Sequence, residues 1–160
     1  MQSLTYISGP PCSGKSVVCR SLMKAFSGLK LITGDNYWNR NTGLSFEERT
    51  LRTNEMILQD ILSMTQPHLL LEWVPASDVF CNRLRDVCLI QDRSFNHLVL
   101  YAQPNELRKR KLARDGDEDI VEPNVRLFNS LEDALVLETT ALNEKELQIR
   151  CVEWFRSKCK

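Results

Sequence analysis

Gly9-Pro10-Pro11-Cys12-Ser13-Gly14-Lys15-Ser16 is the stretch that decides the fold. It meets the pattern G-x-x-x-x-G-K-[ST] at every required position. Before it, Leu4–Ser8 is short and apolar, as a buried strand is. After it, Val17, Val18, Leu22 and Phe26 recur at helical spacing. A glycine-bracketed turn between strand and helix lets successive backbone N–H groups converge on one anion, and the helix N-terminus adds its dipole. The pattern therefore predicts a phosphate cradle made of Gly9, Pro10, Pro11, Cys12, Ser13, Gly14, Lys15, Ser16 and Val17. Lys15 is expected to reach the outer phosphates of a nucleotide, and Ser16 to offer its hydroxyl to Mg²⁺. Cys12 is expected to contribute its backbone alone.

The whole chain, 160 residues, fits a single domain, 1–160, because two independent cores would each be near the lower size limit. Hydrophobic residues make up 42% and charged residues 26%, which argues against disorder. Twenty-one basic and twenty-one acidic side chains cancel, so overall charge supplies no attraction toward nucleic acid or anionic membrane. No apolar run approaches the roughly 20 residues of a membrane span, and the N-terminus has no basic-then-apolar leader pattern. Six cysteines without CxxC spacing read as reduced thiols of a cytoplasmic protein.

Apolar runs at Leu4–Ser8, Leu29–Thr33, His68–Val74, His97–Ala102 and Ala134–Glu138 have the length and composition of strands covered on both faces. Helical patterns lie between them. Ser45 and Glu48 form a capping box ahead of Leu51, Leu58, Ile61 and Leu62. Asn105 is placed to cap Glu106–Arg114. Asn143 and Glu146 open a last helix striped with Leu147, Cys151, Trp154 and Phe155. Alternating strands and helices predict a three-layer α/β P-loop fold with right-handed crossovers.

Ligands of open parallel sheets bind at the C-terminal ends of strands, and three polar features fall there. Asp35, after the second strand, is placed to accept the proton of an attacking hydroxyl, unless it only forms the turn after Gly34. Glu72 closes the third strand as a Walker B carboxylate would, holding Mg²⁺ through water or touching an acceptor. Arg110 and Arg114 share one helix face, and planar guanidinium donors suit the charge of a moving phosphoryl group. The Gly and acidic residues that follow predict a short lid over roughly 114–126. No Asn-Lys-x-Asp guanine motif occurs, which argues against a GTPase.

Together these residues resemble the small P-loop kinases of the nucleoside-monophosphate-kinase fold. Within that group they are most similar to polynucleotide 5′-hydroxyl kinase domains, chloramphenicol phosphotransferase and zeta-toxin-like kinases. The resemblance implies a five-stranded parallel sheet of order 2-3-1-4-5, with ATP and Mg²⁺ as cofactors. It implies that Lys15, Asp35 and Arg114 are catalytic, that Arg110 contacts ATP, and that the turn after Leu135–Leu142 lies near the adenine. One departure stands out: polynucleotide kinases carry an Arg three residues after the catalytic Asp, where this chain has Trp38.

The acceptor is expected over Asp35, against residues 36–56 and the segment after Glu72. Tyr37, Trp38 and Trp73 could stack a ring there, or could simply be half-buried packing. Arg49 and Arg52 could bind an acceptor phosphate, or could form ordinary helix ion pairs with Glu48 and Glu55, and Arg126, just beyond the lid, could return toward the phosphates. Three readings stay open. The favoured one is a kinase acting on a hydroxyl of a small-molecule or nucleoside-type acceptor. The others are a kinase acting on a nucleic-acid end and a non-catalytic nucleotide-binding switch.

Overall fold

The computed structural model describes residues 2–74, 77–117 and 134–158. Its elements run β1 (Gln2–Ser8), α1 (Lys15–Ala25), β2 (Leu29–Thr33), α2 (Gly34–Trp38), α3 (Phe46–Ser63) and β3 (His68–Glu72). They continue with α4 (Asp78–Ile90), β4 (Arg93–Tyr101), α5 (Pro104–Asp115), β5 (Ala134–Glu138) and α6 (Glu144–Lys158). The sheet is parallel throughout and ordered β2-β3-β1-β4-β5.

Both faces of the sheet are covered, which is why the strands read as continuous apolar runs. Leu4 and Tyr6 of β1, Leu69 and Leu71 of β3 and Val99 of β4 pack with Ile57, Leu58, Ile61, Phe80 and Leu84 of α3 and α4. Ile7, Leu70, Leu98 and Leu100 pack with Val18 and Leu22 of α1 and Leu147, Cys151 and Phe155 of α6. Phe26 and Trp154, expected on apolar stripes, are half-buried at the margin of this second layer, and Val17 is half-buried beside the glycine-bracketed loop.

Several boundaries differ from the sequence expectation. β4 begins at Arg93 instead of His97, because the polar Arg93 at its start is satisfied by carbonyls of another segment. The buried Arg93 guanidinium donates to Gln91 Oε1 and to the carbonyls of Met64, Gln66 and Pro67. His97 accepts or donates one hydrogen bond at Ser8 Oγ (2.8 Å) and stacks on Tyr6, and burial holds it neutral with a pKa of about 3. The β3 strand ends at Glu72. On α3 the capping box forms as expected, but Leu51 and Leu62 are exposed and the inward face is Thr53, Asn54, Ile57, Leu58 and Ile61. α5 starts at Pro104, with Gln103 and not Asn105 at its cap, because proline suits the first helical position. α6 is closed by the reciprocal Asn143–Glu146 bonds. α4 had no sequence counterpart; Ser77 caps it by accepting from the Phe80 N–H. The expected lid falls only partly within the described residues: α5 runs through Arg114, and 118–126, with Arg126, lie outside them. Among the described residues no helix is long and apolar enough to cross a membrane.

Candidate functional site

The ends of β1, β2 and β3 lie level in the sheet, with Ile7 opposite Glu72 and Thr33 opposite Glu72. The chain leaves β1 toward β2 and β3 on one side and returns to β4 on the other, so the cleft opens at the switch point. There the Gly9–Ser16 loop turns sharply. Gly9 has φ +143°, and a side-chain carbon on it would lie 2.1 Å from the Leu100 carbonyl oxygen of β4. Gly14, at φ +103°, precedes the first turn of α1. Cys12 also takes a positive φ, 65°, and lines the cleft.

Lys15 folds back over this loop. Its Nζ donates to Gly9 O (3.0 Å) and Pro10 O (2.9 Å). Burial pushes the ammonium down to about 8, and the nearby carboxylates of Glu72 and Asp35 oppose that push. Ser16 Oγ donates to Glu72 Oε1 at 2.5 Å across the end of β3. A hydroxyl and a carboxylate so placed are hard oxygen donors, the set Mg²⁺ takes when substrate phosphates and water complete its shell. Among the described residues no cluster of three His, Cys, Asp or Glu forms an all-protein cage, which Mg²⁺ does not require.

Lys15, Ser16, Asp35, Glu72, Arg110 and Arg114 line one cavity of about 510 Å³. Asp35 sits in the first turn of α2 and is exposed to this space. Arg110 is pinned: Nε donates to Glu106, Nη1 to Thr139 Oγ1 (3.1 Å) and Nη2 to Thr139 O (2.6 Å). Thr139, fully buried just after β5, passes the connection on by donating to Ser13 O. Arg114 also lines the cavity, but its guanidinium is paired bidentately with Asp115 on the surface.

A second, smaller cavity of about 120 Å³ shares Asp35, Trp73 and Val74 with the first and adds Trp38, Phe46 and Thr50. Trp73 is fixed by its indole N–H, which donates to the buried Asn54 Oδ1 at 2.9 Å. It lies so close to Gly34 that an added side-chain carbon would meet its ring at 2.0 Å. Trp38 packs edge-on to Phe46, with ring centres 5.4 Å apart. Arg49 does not line either cavity. Its guanidinium covers the Trp38 ring at 4.1 Å and its Nε donates to Trp38 O. Arg52 is exposed and also outside both cavities. Tyr37 turns away from the cleft and donates to Asp60.

Sequence reasoning missed Arg20, Thr33 and Phe46 as lining residues, and Thr139 as the link between Arg110 and the loop. Phe46 read only as the first residue after a helix cap. Gly34 directly before Asp35 was the one available sign of a close approach.

The fold is shared with solved kinase structures. A sugar kinase from Janibacter sp. superposes with a TM-score of 0.71 at 15% identity, covering 98% of this chain and 95% of that one. A gluconokinase from Sinorhizobium meliloti gives 0.65 at 15% identity, with 99% and 98% covered. The APS kinase of Mycobacterium tuberculosis, solved in complex with AMPPNP and APS, gives 0.65 at 19% identity, with 97% and 98% covered. No curated protein matches the sequence. A family profile does, aligning from Tyr6 in β1, through the glycine-bracketed loop and Asp35, past α5 to residue 128. On that match, which spans well over half of its length, the chain belongs to the AAA domain family.

Proposed function

We propose that this protein is an ATP- and Mg²⁺-dependent phosphotransferase that moves the γ-phosphoryl group to an alcohol, and that one domain does the whole reaction. The observation that carries the reading is Asp35 lining the same cavity as Lys15, Ser16, Glu72 and Arg114. A pure nucleotide binder has no need of a carboxylate facing the phosphate end. The kinase structures that share the fold support it further.

In this reading the glycine-bracketed loop and the N-terminus of α1 hold the polyphosphate. Lys15 exchanges the two loop carbonyls for phosphate oxygens, and Arg114 exchanges Asp115 for the moving group. Ser16 and Glu72 would hold Mg²⁺, which when bound would neutralise negative charge on the polyphosphate. The acceptor oxygen forms a bond to the γ-phosphorus while the bond to the β–γ bridging oxygen breaks. The hydroxyl proton passes to the Asp35 carboxylate, and ADP leaves. Arg110, fixed by Thr139 and Glu106, flanks the nucleotide. The acceptor we favour is a small molecule rather than a nucleic-acid end, because Trp38 stands where the polynucleotide kinases carry an Arg.

Transfer of label from γ-labelled ATP to a panel of nucleosides, sugars and 5′-hydroxyl oligonucleotides tests the reading. Asp35→Asn should bind ATP normally and lose roughly 10²–10⁴-fold in transfer rate. Full transfer by Asp35→Asn removes Asp35 from the role of base. ATP binding with neither transfer nor hydrolysis returns the protein to the class of nucleotide switches.

A further inference from the structure

The two joined cavities divide the charge of the site unequally. Lys15, Arg20, Arg110 and Arg114 all line the larger one. The smaller one is walled by Trp38, Phe46, Trp73 and Val74, and its polar contributions are Thr50 and the shared Asp35. The Thr50 hydroxyl already donates to Phe46 O, which leaves it able only to accept. No Lys or Arg lines this hollow among the described residues. Arg49, on the adjoining turn of α3, is held on the Trp38 ring and carbonyl.

We infer that the hollow formed by Trp38, Phe46, Trp73 and Val74 is the acceptor subsite, and that it takes a neutral alcohol that presents one flat ring to these walls. The inference rests on the phosphotransferase reading for its chemistry and on the cavity alone for its ligand class. Three observations support it. First, the size fits: apolar protein cavities of roughly 150 Å³ take up one benzene-sized ring, and this hollow has about 120 Å³. Second, the walls fit, because aromatic faces and edges bind flat rings by stacking. Third, the charge fits, since among the described residues the one ionisable side chain lining the hollow is an Asp. The cations near Asp35, Lys15 and Arg114, line the larger cavity, so a phosphate or carboxylate on a body seated in the hollow would meet the carboxylate with no Lys or Arg on the hollow's own walls, and like charges at close range repel strongly. Asp35 at the seam of the two cavities then meets a hydroxyl carried beside the ring.

Trp73 is a positioning residue for this wall as well as a part of it. Asn54 fixes its indole N–H and Gly34 leaves the room its ring occupies. The Asn54 bond and the Gly34 contact thus hold the ring on two sides.

The test uses the full chain saturated with Mg²⁺ and a non-hydrolysable ATP analogue. Intrinsic tryptophan emission is followed while uridine, phenylethanol, uridine 3′-monophosphate or gluconate is added. The same four compounds are offered with γ-labelled ATP. Uridine and phenylethanol should change the emission and take label at least roughly tenfold more efficiently than the two anions. Trp38→Ala should raise KM for the ring alcohols roughly tenfold, the loss of one stacking wall, with a smaller change in KM for ATP; Trp38→Phe should restore most of it. Tighter binding of uridine 3′-monophosphate or gluconate overturns the inference, as does a Trp38→Ala enzyme with unchanged KM or binding of ring alcohols. Slow ATP hydrolysis that needs Lys15 and Asp35, measured in the same samples, reports separately on the phosphotransferase reading. Ring alcohols that bind while hydrolysis and transfer are both nil keep the subsite and sink the enzyme. Hydrolysis with preferred binding of the anions does the reverse.

Discussion

The two sides of the cleft are built from different materials. The phosphate side is mostly backbone: a loop of eight residues whose shape is set by Gly9 and Gly14 and whose Lys15 is tied to its own carbonyls. The acceptor side is mostly side chain: Trp38, Phe46 and Trp73 come from α2, the start of α3 and the residue after β3. Each side depends on one glycine pressed against a neighbour. Gly9 faces a carbonyl oxygen of β4, a strand paired on both sides, which cannot move without the sheet. Gly34 faces a tryptophan ring, which can shift at a cost. The phosphate side should therefore break, and the acceptor side should bend.

Gly9→Ala is the severest way to test that difference. It adds a clash with Leu100 O to a φ of +143°, each worth about 1–3 kcal/mol. ATP affinity, measured by calorimetry, should fall at least roughly 100-fold, and the melting temperature should fall with it. Gly34→Ala should be milder and should fall on the other partner. With Trp73 pushed out of place, acceptor KM should rise roughly tenfold while ATP affinity changes little. Equal losses of ATP and acceptor affinity in Gly34→Ala would show that the two sides are one unit.

A third prediction concerns the charge on the phosphate side. Lys15 ordinarily titrates near 10.5, and in the fold near 8. Between those values the unfolded chain holds a proton the folded chain has lost, so this group makes the folded state gain stability as pH rises through that window. Bound polyphosphate restores the charge. ATP binding at about pH 8.5 should then take up protons, seen as a buffer-dependent binding enthalpy, and affinity should weaken as pH climbs above about 8. Lys15→Met should abolish the proton uptake. The smallest effect is expected at Asp115→Asn, which releases Arg114 from an exposed pair worth about 0–1 kcal/mol. ATP should bind less than about fivefold more tightly, and the melting temperature should stay where it is.

The same contrast explains what the sequence disclosed. The cradle is local, so eight consecutive residues name it, and Asp35 and Glu72 could be placed because each ends an apolar run. The strand order came from resemblance, since no local property says which strands pair. The aromatic hollow was only half legible. Trp38 and Trp73 stood out by size, but Tyr37 did too, and only the turn of α2 separates the one that faces the cleft from the one bonded to Asp60. Arg49 resembled a phosphate ligand because its preference for an indole face over an acid depends on a side chain eleven positions away. β4 began early because Arg93 is solvated by carbonyls of another segment, a debt that hydropathy cannot register.

Thr139 carries one more consequence. It joins Arg110 to Ser13 across 126 positions of sequence, and Leu147 of α6 packs beneath Gly14. The cradle is thus synthesised well before the segments that brace it. A nascent chain that has emerged only as far as α5 already displays every residue of the Walker sequence, yet has neither the threonine that shoulders the loop nor the helix that floors it. Long-range closures of this kind are slow steps in folding. Nucleotide capture should accordingly arrive with β5 and α6 and not with the eight-residue motif alone.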